Sequence, residues 1–343
     1  MERERNTPIE VLSTIPFTED EVQVLREVSP RLRVTVHAAR EPHEISKEIW
    51  SRVEVLYTDR VLPAPDLVPA LRWVQFHFTG IDTMVENPLI KKPDLIATTL
   101  SGAAAPQMAE YALAMMLALG RRLPDMMAHQ ARSEWPRDRW ERFRPVELRG
   151  STVGIVGYGS IGREIARLVS AFGAKVLAVK RDVMHPEDTG YTLPGLGDPG
   201  GDLFQRLYPY QAVGSMMKEC DFVVIALPYT PETRGMIGAH ELASMKHTAY
   251  LINMARGGIV DQAALLTALQ ERRIAGAALD VFQEEPLPSN SPFWKLPNVI
   301  ISPHIAGHSI YYNERAIGLF AENLKRYLSG MPLLNRYDPQ KGY

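Results

Sequence analysis

A glycine-rich stretch in the middle of the sequence constrains the fold more than any other part. A short apolar run at 153–156 predicts a buried strand, and Gly157, Gly159 and Gly162 follow in the spacing G-x-G-x-x-G. A helical apolar pattern comes next, and residues 175–179 predict a second strand. The first glycine of such a turn permits the tight bend, the second lets backbone approach a pyrophosphate, and the third allows close helix packing. The complete strand–turn–helix–strand order therefore predicts a dinucleotide-binding unit.

The end of the second strand of this unit bears on which dinucleotide is bound. An Asp or Glu usually stands there in NAD-binding proteins and holds the ribose hydroxyls. In this chain Lys180 and Arg181 stand there instead, and Asp182 follows them. Two cations favour the 2′-phosphate of NADP, so we expect NAD or NADP as the cofactor, with NADP favoured. In the alternative, both cationic side chains point to solvent and Asp182 holds the ribose.

Length, charge and cysteine content narrow the class of protein. A chain of 343 residues exceeds one ordinary α/β domain and predicts two. The formal net charge of −2 gives no general attraction to nucleic acid or acidic membranes, so neither is expected as a partner. The first ten residues carry charges of both signs and lack the apolar core of a signal peptide. The single cysteine, Cys220, excludes an internal disulfide, and we expect a buried thiol in a soluble, cytoplasmic protein. No metal site is predicted.

Apolar segments that alternate with helical patterns predict parallel sheets. Before residue 100 the strand candidates are 9–12, 32–36, 53–57, 71–76 and 95–98. After the glycine-rich unit they are 222–227, 250–253, 276–281 and 299–302. Together with the two strands of that unit, the second set predicts a doubly wound sheet of about six strands. The segment 186–214 shows no periodicity and is long for a connection, so we interpret it as an insertion of unassigned function.

Two predicted helices bear on the domain organisation. The almost wholly apolar helix 106–123 favours a buried connector or a subunit interface. The last helix, 310–328, has an apolar stripe and no strand after it, so we expect it to pack on the first domain. The domains are then 1–100 with 308–343, and 101–307. The sequence thus predicts two doubly wound α/β domains, a discontinuous flavodoxin-like substrate domain and a Rossmann NAD(P)-binding domain, with a cleft between them.

Three chemically capable side chains follow predicted strands of the second domain. Arg256, Glu285 and His304 each stand just past a strand, at the edge where the cofactor is expected. A guanidinium can donate hydrogen bonds to both the carboxylate and the ketone oxygen of a 2-oxo acid. A protonated imidazole can donate to the ketone oxygen as hydride arrives at carbon, and a carboxylate on its other nitrogen keeps it oriented and protonated. Taken singly, each of the three fits a structural ion pair as well.

The chain resembles the D-isomer-specific 2-hydroxyacid dehydrogenase family. The matching segments occur in the family's order and cover most of the chain: VQFHFTGID, GAAAPQMAEYALAMMLAL, GIVGYGSIG, ALPYTPETRGMIG, LINMARGGIVD, ALDVFQEEPLP and SPHIAG. The resemblance implies an NAD(P)-dependent oxidoreductase that interconverts a 2-oxo acid and a D-2-hydroxy acid. Glyoxylate, hydroxypyruvate or a bulkier 2-oxo acid would be the substrate. Family members are commonly homodimers joined through the cofactor domain, so a homodimer is expected.

The resemblance also implies roles for individual residues. His304 would be the general acid/base and Glu285 its hydrogen-bond partner. The adjacent Glu284 is the alternative candidate for the partner role. Arg256 would bind the carboxylate and the carbonyl of the substrate. Backbone N–H groups of Gly80 and Ile81 would bind the substrate carboxylate, although this stretch taken alone is more typical of a plain turn. The implied cofactor contacts are Met108, Gly157, Gly159, Ser160, Ile161, Gly162, Lys180, Arg181, Pro228, Met254, Ala255 and Asp280.

Departures from the family pattern and related proteins leave alternatives open. Lys180-Arg181 replaces the usual acidic ribose residue, as in NADP-using members. Glu285 argues against the formate dehydrogenases of the same fold, which pair the histidine with Gln. A cofactor-sensing binding protein with weak or no turnover, like the C-terminal-binding corepressors, keeps this fold and these residues and is the alternative function. His77 and His308 are interpreted as polar bystanders. Which 2-hydroxy acid is used, and in which direction, stays open.

Overall fold

The computed structural model describes residues 7–188 and 190–343. The chain divides into two compact units. Unit 1 consists of Met1–Ala103 and Ser309–Tyr343, and unit 2 is the continuous stretch Ala104–His308. Among the described residues, no helix is both long enough and apolar enough to span a membrane.

Unit 1 is built on a five-stranded sheet. Its strands are β1 (Ile9–Ser13), β2 (Leu32–Val36), β3 (Val55–Thr58), β4 (Trp73–Phe76) and β5 (Ile96–Thr98). They lie in the order β2-β1-β3-β4-β5, and every neighbouring pair is parallel. This is the strand order of flavodoxin-like sheets. Helix α1 (Glu19–Arg26) is capped by Thr18, which forms a capping box with Glu21, and α2 is Lys47–Trp50.

Unit 2 contains a seven-stranded parallel sheet. Its strands are β6 (Thr152–Val156), β7 (Lys175–Val179), β8 (Arg206–Tyr208), β9 (Phe222–Ile225), β10 (Tyr250–Asn253), β11 (Gly276–Leu279) and β12 (Val299–Ile301). The order is β12-β11-β10-β9-β6-β7-β8, so the winding reverses between β9 and β6. Ligands bind outside the carboxyl ends of the strands at such a reversal. Both sheets have the predicted doubly wound α/β class.

Strand β8 lies within the segment 186–214, which the sequence analysis interprets as an insertion of unassigned function. Its three residues pair in parallel with β7, from Leu177 opposite Arg206 to Val179 opposite Tyr208. They add a seventh strand where the sequence predicts about six. A strand of three residues at a sheet edge is too short to show a two-residue periodicity, so the sequence pattern gives no signal for it.

The helices of unit 2 are α3 (Ala105–Gly120), α4 (Leu123–Ala131), α5 (Arg139–Arg142), α6 (Ser160–Ala171), α7 (Val213–Met217), α8 (Ala239–Ser244) and α9 (Gln262–Gln270). Helix α3 ends before the predicted limit at residue 123, because Arg122 adopts a left-handed φ of 56° and begins a new helix. Pro124 lies in the first turn of that helix, where its missing N–H costs no hydrogen bond.

The last helix, α10 (Tyr312–Leu328), packs on the sheet of unit 1. Its apolar face buries Phe320 and Leu324 among side chains of the strands. The Phe320 ring lies 4.8 Å from that of Tyr57 and 5.3 Å from that of Trp73, centroid to centroid. Burial of each large apolar side chain contributes about 1.5–3 kcal/mol. Unit 1 is therefore assembled from two separate stretches of the chain, one of which supplies the sheet and the other this helix.

Candidate active site

The glycine-rich turn joins β6 to α6 beside the reversal of the strand order. Gly157 has a φ of 110°, and a Cβ there would lie 2.5 Å from the carbonyl oxygen of Ala226. A Cβ on Gly162 would lie 2.1 Å from the carbonyl oxygen of Gly157. A Cβ on Gly159 would meet no atom within 4 Å, so the backbone is open at this point. Because Gly159 is also the N-cap of α6, the first N–H groups of the helix face the opening. This cradle fits a dinucleotide pyrophosphate.

Other residues that the sequence assigns to the cofactor lie at the same edge of the sheet. Ser160 and Ile161 form the start of α6. Pro228 follows β9, and Met254 and Ala255 follow β10, where both are buried. Because the strands are parallel, the segments after β6, β9 and β10 are all at the carboxyl edge, where the cofactor is expected.

The two cations after β7 have different surroundings. The ammonium group of Lys180 donates hydrogen bonds to the carbonyl oxygens of His185 and Glu187. Burial lowers the pKa of Lys180. The guanidinium of Arg181 instead lies 3.9 Å from the carboxylate of Glu232, in the loop after β9. The structure thus separates two residues that the sequence treats as one phosphate-binding pair.

The segment after β7 docks on the glycine-rich unit. Arg163 in α6 is almost completely buried, and its guanidinium donates to the carbonyl oxygens of Asp198 and Pro186. The hydroxyl of Tyr158, the residue between the first two glycines, donates to the carboxylate of Asp198 at 2.6 Å. Asp182 accepts a hydrogen bond from the His185 ring at 2.7 Å, which is the main reason that the pKa of Asp182 is lowered. The segment is therefore anchored next to the expected cofactor site.

His304 and Glu285 make the contact that the sequence predicts. Nδ1 of the imidazole lies 2.7 Å from Oε2 of the carboxylate. The other carboxylate oxygen, Oε1, accepts a hydrogen bond from the backbone N–H of Phe282 at 2.9 Å. Glu285, and not the adjacent Glu284, is therefore the partner of the imidazole. With Nδ1 engaged, Nε2 is the ring nitrogen that can exchange a proton with a substrate.

Asp280 fixes the loop that carries His304. Its buried carboxylate accepts hydrogen bonds from the hydroxyl of Ser302 at 2.5 Å and from the backbone N–H groups of Ile305 and Ala306, both at 2.9 Å. Its carbonyl oxygen accepts from the backbone N–H of His304 at 2.9 Å. The histidine has a left-handed φ of 55°, which these four bonds hold in place. Asp280, which the sequence assigns to the cofactor, thus also positions the imidazole.

Helix α3 holds the same loop through residues that sequence reasoning missed. The hydroxyl of Tyr111 lies 2.7 Å from that of Ser302, and the Gln107 amide donates to the carbonyl oxygen of Gly307 at 2.9 Å. Burial raises the pKa of Tyr111 to about 12, so the hydroxyl keeps its proton. Met108, the expected cofactor contact, lies beside Gly307. Gln107 and Tyr111 are, with Glu110, the polar residues of a largely apolar helix, and that contrast is the signal that the sequence offers for them.

Arg256 follows β10, and a close backbone approach ties its turn to the loop after β11. The amide of Asn253 donates to the carbonyl oxygen of Arg256 at 3.1 Å. A Cβ on Gly257 would lie 2.0 Å from the carbonyl carbon of Phe282, so only glycine allows this contact. The N–H of Phe282 in turn binds Glu285. The guanidinium, the carboxylate and the imidazole therefore follow three adjacent parallel strands, β10, β11 and β12, at one edge of the sheet.

In unit 1, the expected substrate-binding residues Gly80 and Ile81 follow β4. The carbonyl oxygen of Ile81 accepts from the N–H of Met84 at 2.8 Å, which closes a turn. Nearby, Nδ1 of His77 lies 2.8 Å from the hydroxyl of Tyr57, and burial lowers the pKa of His77 to about 4. The imidazole is therefore neutral at physiological pH, as befits a residue with a structural role.

Residues 113–306, more than half of the chain, match the description "D-isomer specific 2-hydroxyacid dehydrogenase, NAD binding domain". The chain belongs to this family. A glyoxylate reductase from Thermofilum pendens is 34% identical over 278 residues, which are 80% of this chain and 77% of the relative. A D-3-phosphoglycerate dehydrogenase from Methanocaldococcus jannaschii is 31% identical over 326 residues, and the match covers 94% of this chain but 58% of the relative. The chain therefore spans little more than half the length of that second relative.

Solved structures of the 2-hydroxyacid dehydrogenases share the fold. An enzyme of the family from Xanthobacter autotrophicus Py2, in complex with NADPH and MES, has a TM-score of 0.76 at 29% identity, covering 98% of this chain and all of that one. An NADPH-dependent glyoxylate/hydroxypyruvate reductase from Sinorhizobium meliloti, in complex with NADP and sulfate, has a TM-score of 0.76 at 27% identity, with the same coverage. The predicted family, fold class and activity class of an NAD(P)-dependent D-2-hydroxyacid dehydrogenase are confirmed. None of these relatives supports the corepressor-like alternative.

Proposed function

We propose that this protein uses a reduced nicotinamide cofactor to convert a small 2-oxo acid, of the glyoxylate or hydroxypyruvate type, into the corresponding 2-hydroxy acid. The observation that carries the proposal is the 2.7 Å contact between His304 and Glu285 at the carboxyl edge of the sheet that also bears the glycine-rich turn. The relatives named glyoxylate reductase support this substrate class.

Each residue of the candidate site has a distinct role in this proposal. The bound cofactor supplies the hydride. Arg256 binds the substrate carboxylate and polarises the ketone, and Nε2 of His304 donates a proton to the ketone oxygen. Glu285 orients the imidazole and stabilises its charged form. Backbone N–H groups of Gly80 and Ile81 bind the substrate carboxylate.

For the cofactor, we propose that NADP is preferred and that Arg181 binds its 2′-phosphate. A guanidinium is suited to a phosphate because it can donate two parallel hydrogen bonds. The pyrophosphate binds at the turn formed by Gly157, Gly159 and Gly162 and at the start of α6. Residues 101–307 then act as the cofactor domain, and residues 1–100 with 308–343 as the substrate domain.

We also propose that the protein is a cytoplasmic homodimer. The helix α4 buries none of its residues, and the segment around it exposes large apolar side chains. Met127 is 59% exposed, Trp135 84% and Trp140 78%. Segments that expose several large apolar side chains are candidates for interaction sites. A second copy of the chain is the proposed partner for this surface.

Turnover of a panel of 2-oxo acids with NADH and NADPH in parallel tests the reaction. Glyoxylate and hydroxypyruvate are expected to be reduced faster than pyruvate or phenylpyruvate, and NADPH is expected to give the higher kcat/KM. The variant His304→Ala, assayed alongside, shows whether the activity belongs to this protein. Tight binding of NADPH without reduction of any 2-oxo acid would refute the proposal and favour a cofactor-sensing role.

A further inference from the structure

A cluster of charged side chains lies at the amino edge of the seven-stranded sheet, opposite the candidate active site. It surrounds a cavity of about 260 Å³, bordered by the α3–α4 junction and by the residues that enter β10, β11 and β12. The polar side chains of the lining that matter here are Arg122, Asp125, His247, Tyr250, Arg272 and Asn298. The same three strands carry the catalytic candidates at their other ends, but no group of the cavity takes part in the proposed reaction.

The cavity lining contains two arginines whose side-chain donors have no partner in the described part of the chain. Neither Arg122 nor Arg272 makes an ion pair or a side-chain hydrogen bond with any residue in the ranges 7–188 and 190–343. The neighbouring Arg273, by contrast, pairs with Glu271 at 2.6 Å. Burial raises the pKa of Tyr250; the charges of Arg122 and Arg272 oppose this rise, and that of Asp125 adds to it. Two guanidinium groups facing one cavity suit an oxyanion.

The cavity lining also contains hydrogen-bond acceptors. Oδ1 of Asn298 is buried and has no hydrogen-bond partner within the described part of the chain. The orientation of the Asn298 amide group is fixed by Nδ2, which donates hydrogen bonds to the carbonyl oxygens of Leu269 and Ala275, both at 3.3 Å. The carboxylate of Asp125 is a second acceptor in the lining. Buried polar atoms are nearly always hydrogen-bonded, so an orphaned acceptor indicates a place for a bound donor.

We propose that this cavity binds a phosphate group, either free or as a monoester, in its monoprotonated form. Arg122 and Arg272 bind its charged oxygens. The proton of its P–OH group is donated in a hydrogen bond to Oδ1 of Asn298 or to the carboxylate of Asp125. A sulfate dianion has the shape and charge of hydrogen phosphate but no proton to donate, so the two acceptors discriminate against it. The proposal concerns a binding site separate from the dinucleotide cradle and stands independently of the proposed reaction.

Calorimetric titration of inorganic phosphate into the full chain tests the site, with NADPH present at saturation so that the glycine-rich turn is occupied. One saturable site is expected. Arg122→Met and Arg272→Met are each expected to weaken phosphate binding roughly tenfold or more, because each removes a charge-assisted pair of donors. Arg273→Met is the matched control and is expected to leave the Kd within about twofold, since that guanidinium is paired with Glu271.

Two further titrations identify the ligand class. Sulfate is expected to bind roughly tenfold more weakly than phosphate, because it leaves the acceptors unpaired. Glycerol 3-phosphate distinguishes a phosphate monoester from free phosphate as the ligand. If it binds more tightly than inorganic phosphate, the site is assigned to monoesters, and if it binds more weakly, the site is assigned to the free ion. The proposal is overturned if the wild-type protein shows no saturable phosphate binding, if both arginine variants bind as the wild type does, or if sulfate binds as tightly as phosphate. Melting curves followed by circular dichroism establish that each variant is folded.

Discussion

Nδ1 of His304 lies 2.7 Å from Oε2 of Glu285, on loops that follow two adjacent parallel strands. The carboxylate is held at its other oxygen by the backbone N–H of Phe282. The histidine is held through its own backbone by Asp280. Both members of the pair are thus fixed by other groups of the protein, and the imidazole presents Nε2 in one orientation. Such preorganisation is what a proton donor in hydride-transfer chemistry needs.

The variant His304→Ala should lower kcat for 2-oxo acid reduction by roughly 10²–10⁴, because it removes the general acid. The Kd of NADPH, measured by fluorescence, should stay unchanged, since the glycine-rich turn is untouched. His308→Ala is the matched control, because this second histidine of the same loop is exposed and is not paired with Glu285. Unchanged turnover in His304→Ala would eliminate the acid/base role.

The variant Glu285→Gln should lower kcat for reduction roughly tenfold or more, because the amide can still bond to Nδ1 but no longer supplies the charged partner of the imidazole. The loss should be smaller than in His304→Ala, since the imidazole itself is retained. Steady-state kinetics, with Glu284→Gln measured beside it, test this. A loss of kcat in Glu284→Gln and not in Glu285→Gln would transfer the role to the neighbouring carboxylate.

The parts of the candidate site that the structure arranges as the sequence predicts are those encoded within a few neighbouring residues. The spacing of Gly157, Gly159 and Gly162 encodes its turn because close backbone approaches need glycine at those points. The positions of Glu285 and His304 just after apolar runs place them at one sheet edge, because parallel strands share their carboxyl edge. Local pattern and the geometry of a parallel sheet together suffice for these assignments.

The parts that the sequence misses depend on contacts between distant residues or on segments without periodicity. Tyr111 meets Ser302 across 191 positions of the chain, and nothing in either local pattern specifies that pair. The bonds of Lys180 to the carbonyl oxygens of His185 and Glu187 depend on the path of a segment that is neither helix nor strand. The same absence of periodicity hides β8. Backbone acceptors in irregular segments carry no sequence signature, because every residue has a carbonyl group.

Substitution of Arg181 and Lys180 one at a time should separate their roles. Arg181→Ser should raise the Kd of NADPH roughly tenfold or more and leave that of NADH almost unchanged, because only NADPH has the 2′-phosphate. Lys180→Met should change the two dissociation constants by similar factors. It should also speed proteolysis between residues 182 and 203, because Lys180 anchors that segment. Fluorescence titrations with both cofactors give the constants. An equal loss for NADH and NADPH in Arg181→Ser would contradict the phosphate-binding role.

Cys220 should be almost unreactive in the native protein. Its thiol is completely buried and donates to the carbonyl oxygen of Met216 at 3.1 Å, and burial raises its pKa to about 12. At pH 8 the thiolate fraction should be on the order of 10³-fold smaller than for a thiol with the ordinary pKa of about 8.5. Reaction with a disulfide reagent, followed by absorbance, should therefore be slow until urea unfolds the protein. Rapid labelling under native conditions would show that the thiol is accessible.

The neutral, buried His77 should make stability fall as the pH is lowered. Its pKa is about 4 in the folded protein because of burial, against 6.5 for an ordinary histidine. Between these two values the unfolded chain binds a proton that the folded chain does not, so stability is complete above pH 6.5 and is lost as the pH falls towards 4. The full difference corresponds to about 3 kcal/mol.

In His77→Gln the melting temperature should therefore depend less on pH between 6.5 and 4 than in the wild type, although the variant is less stable at pH 7. His43→Gln, which alters an exposed histidine of the same unit, should retain the wild-type dependence. Identical pH dependence in the wild type and His77→Gln would mean that His77 takes up its proton equally in the folded and unfolded states.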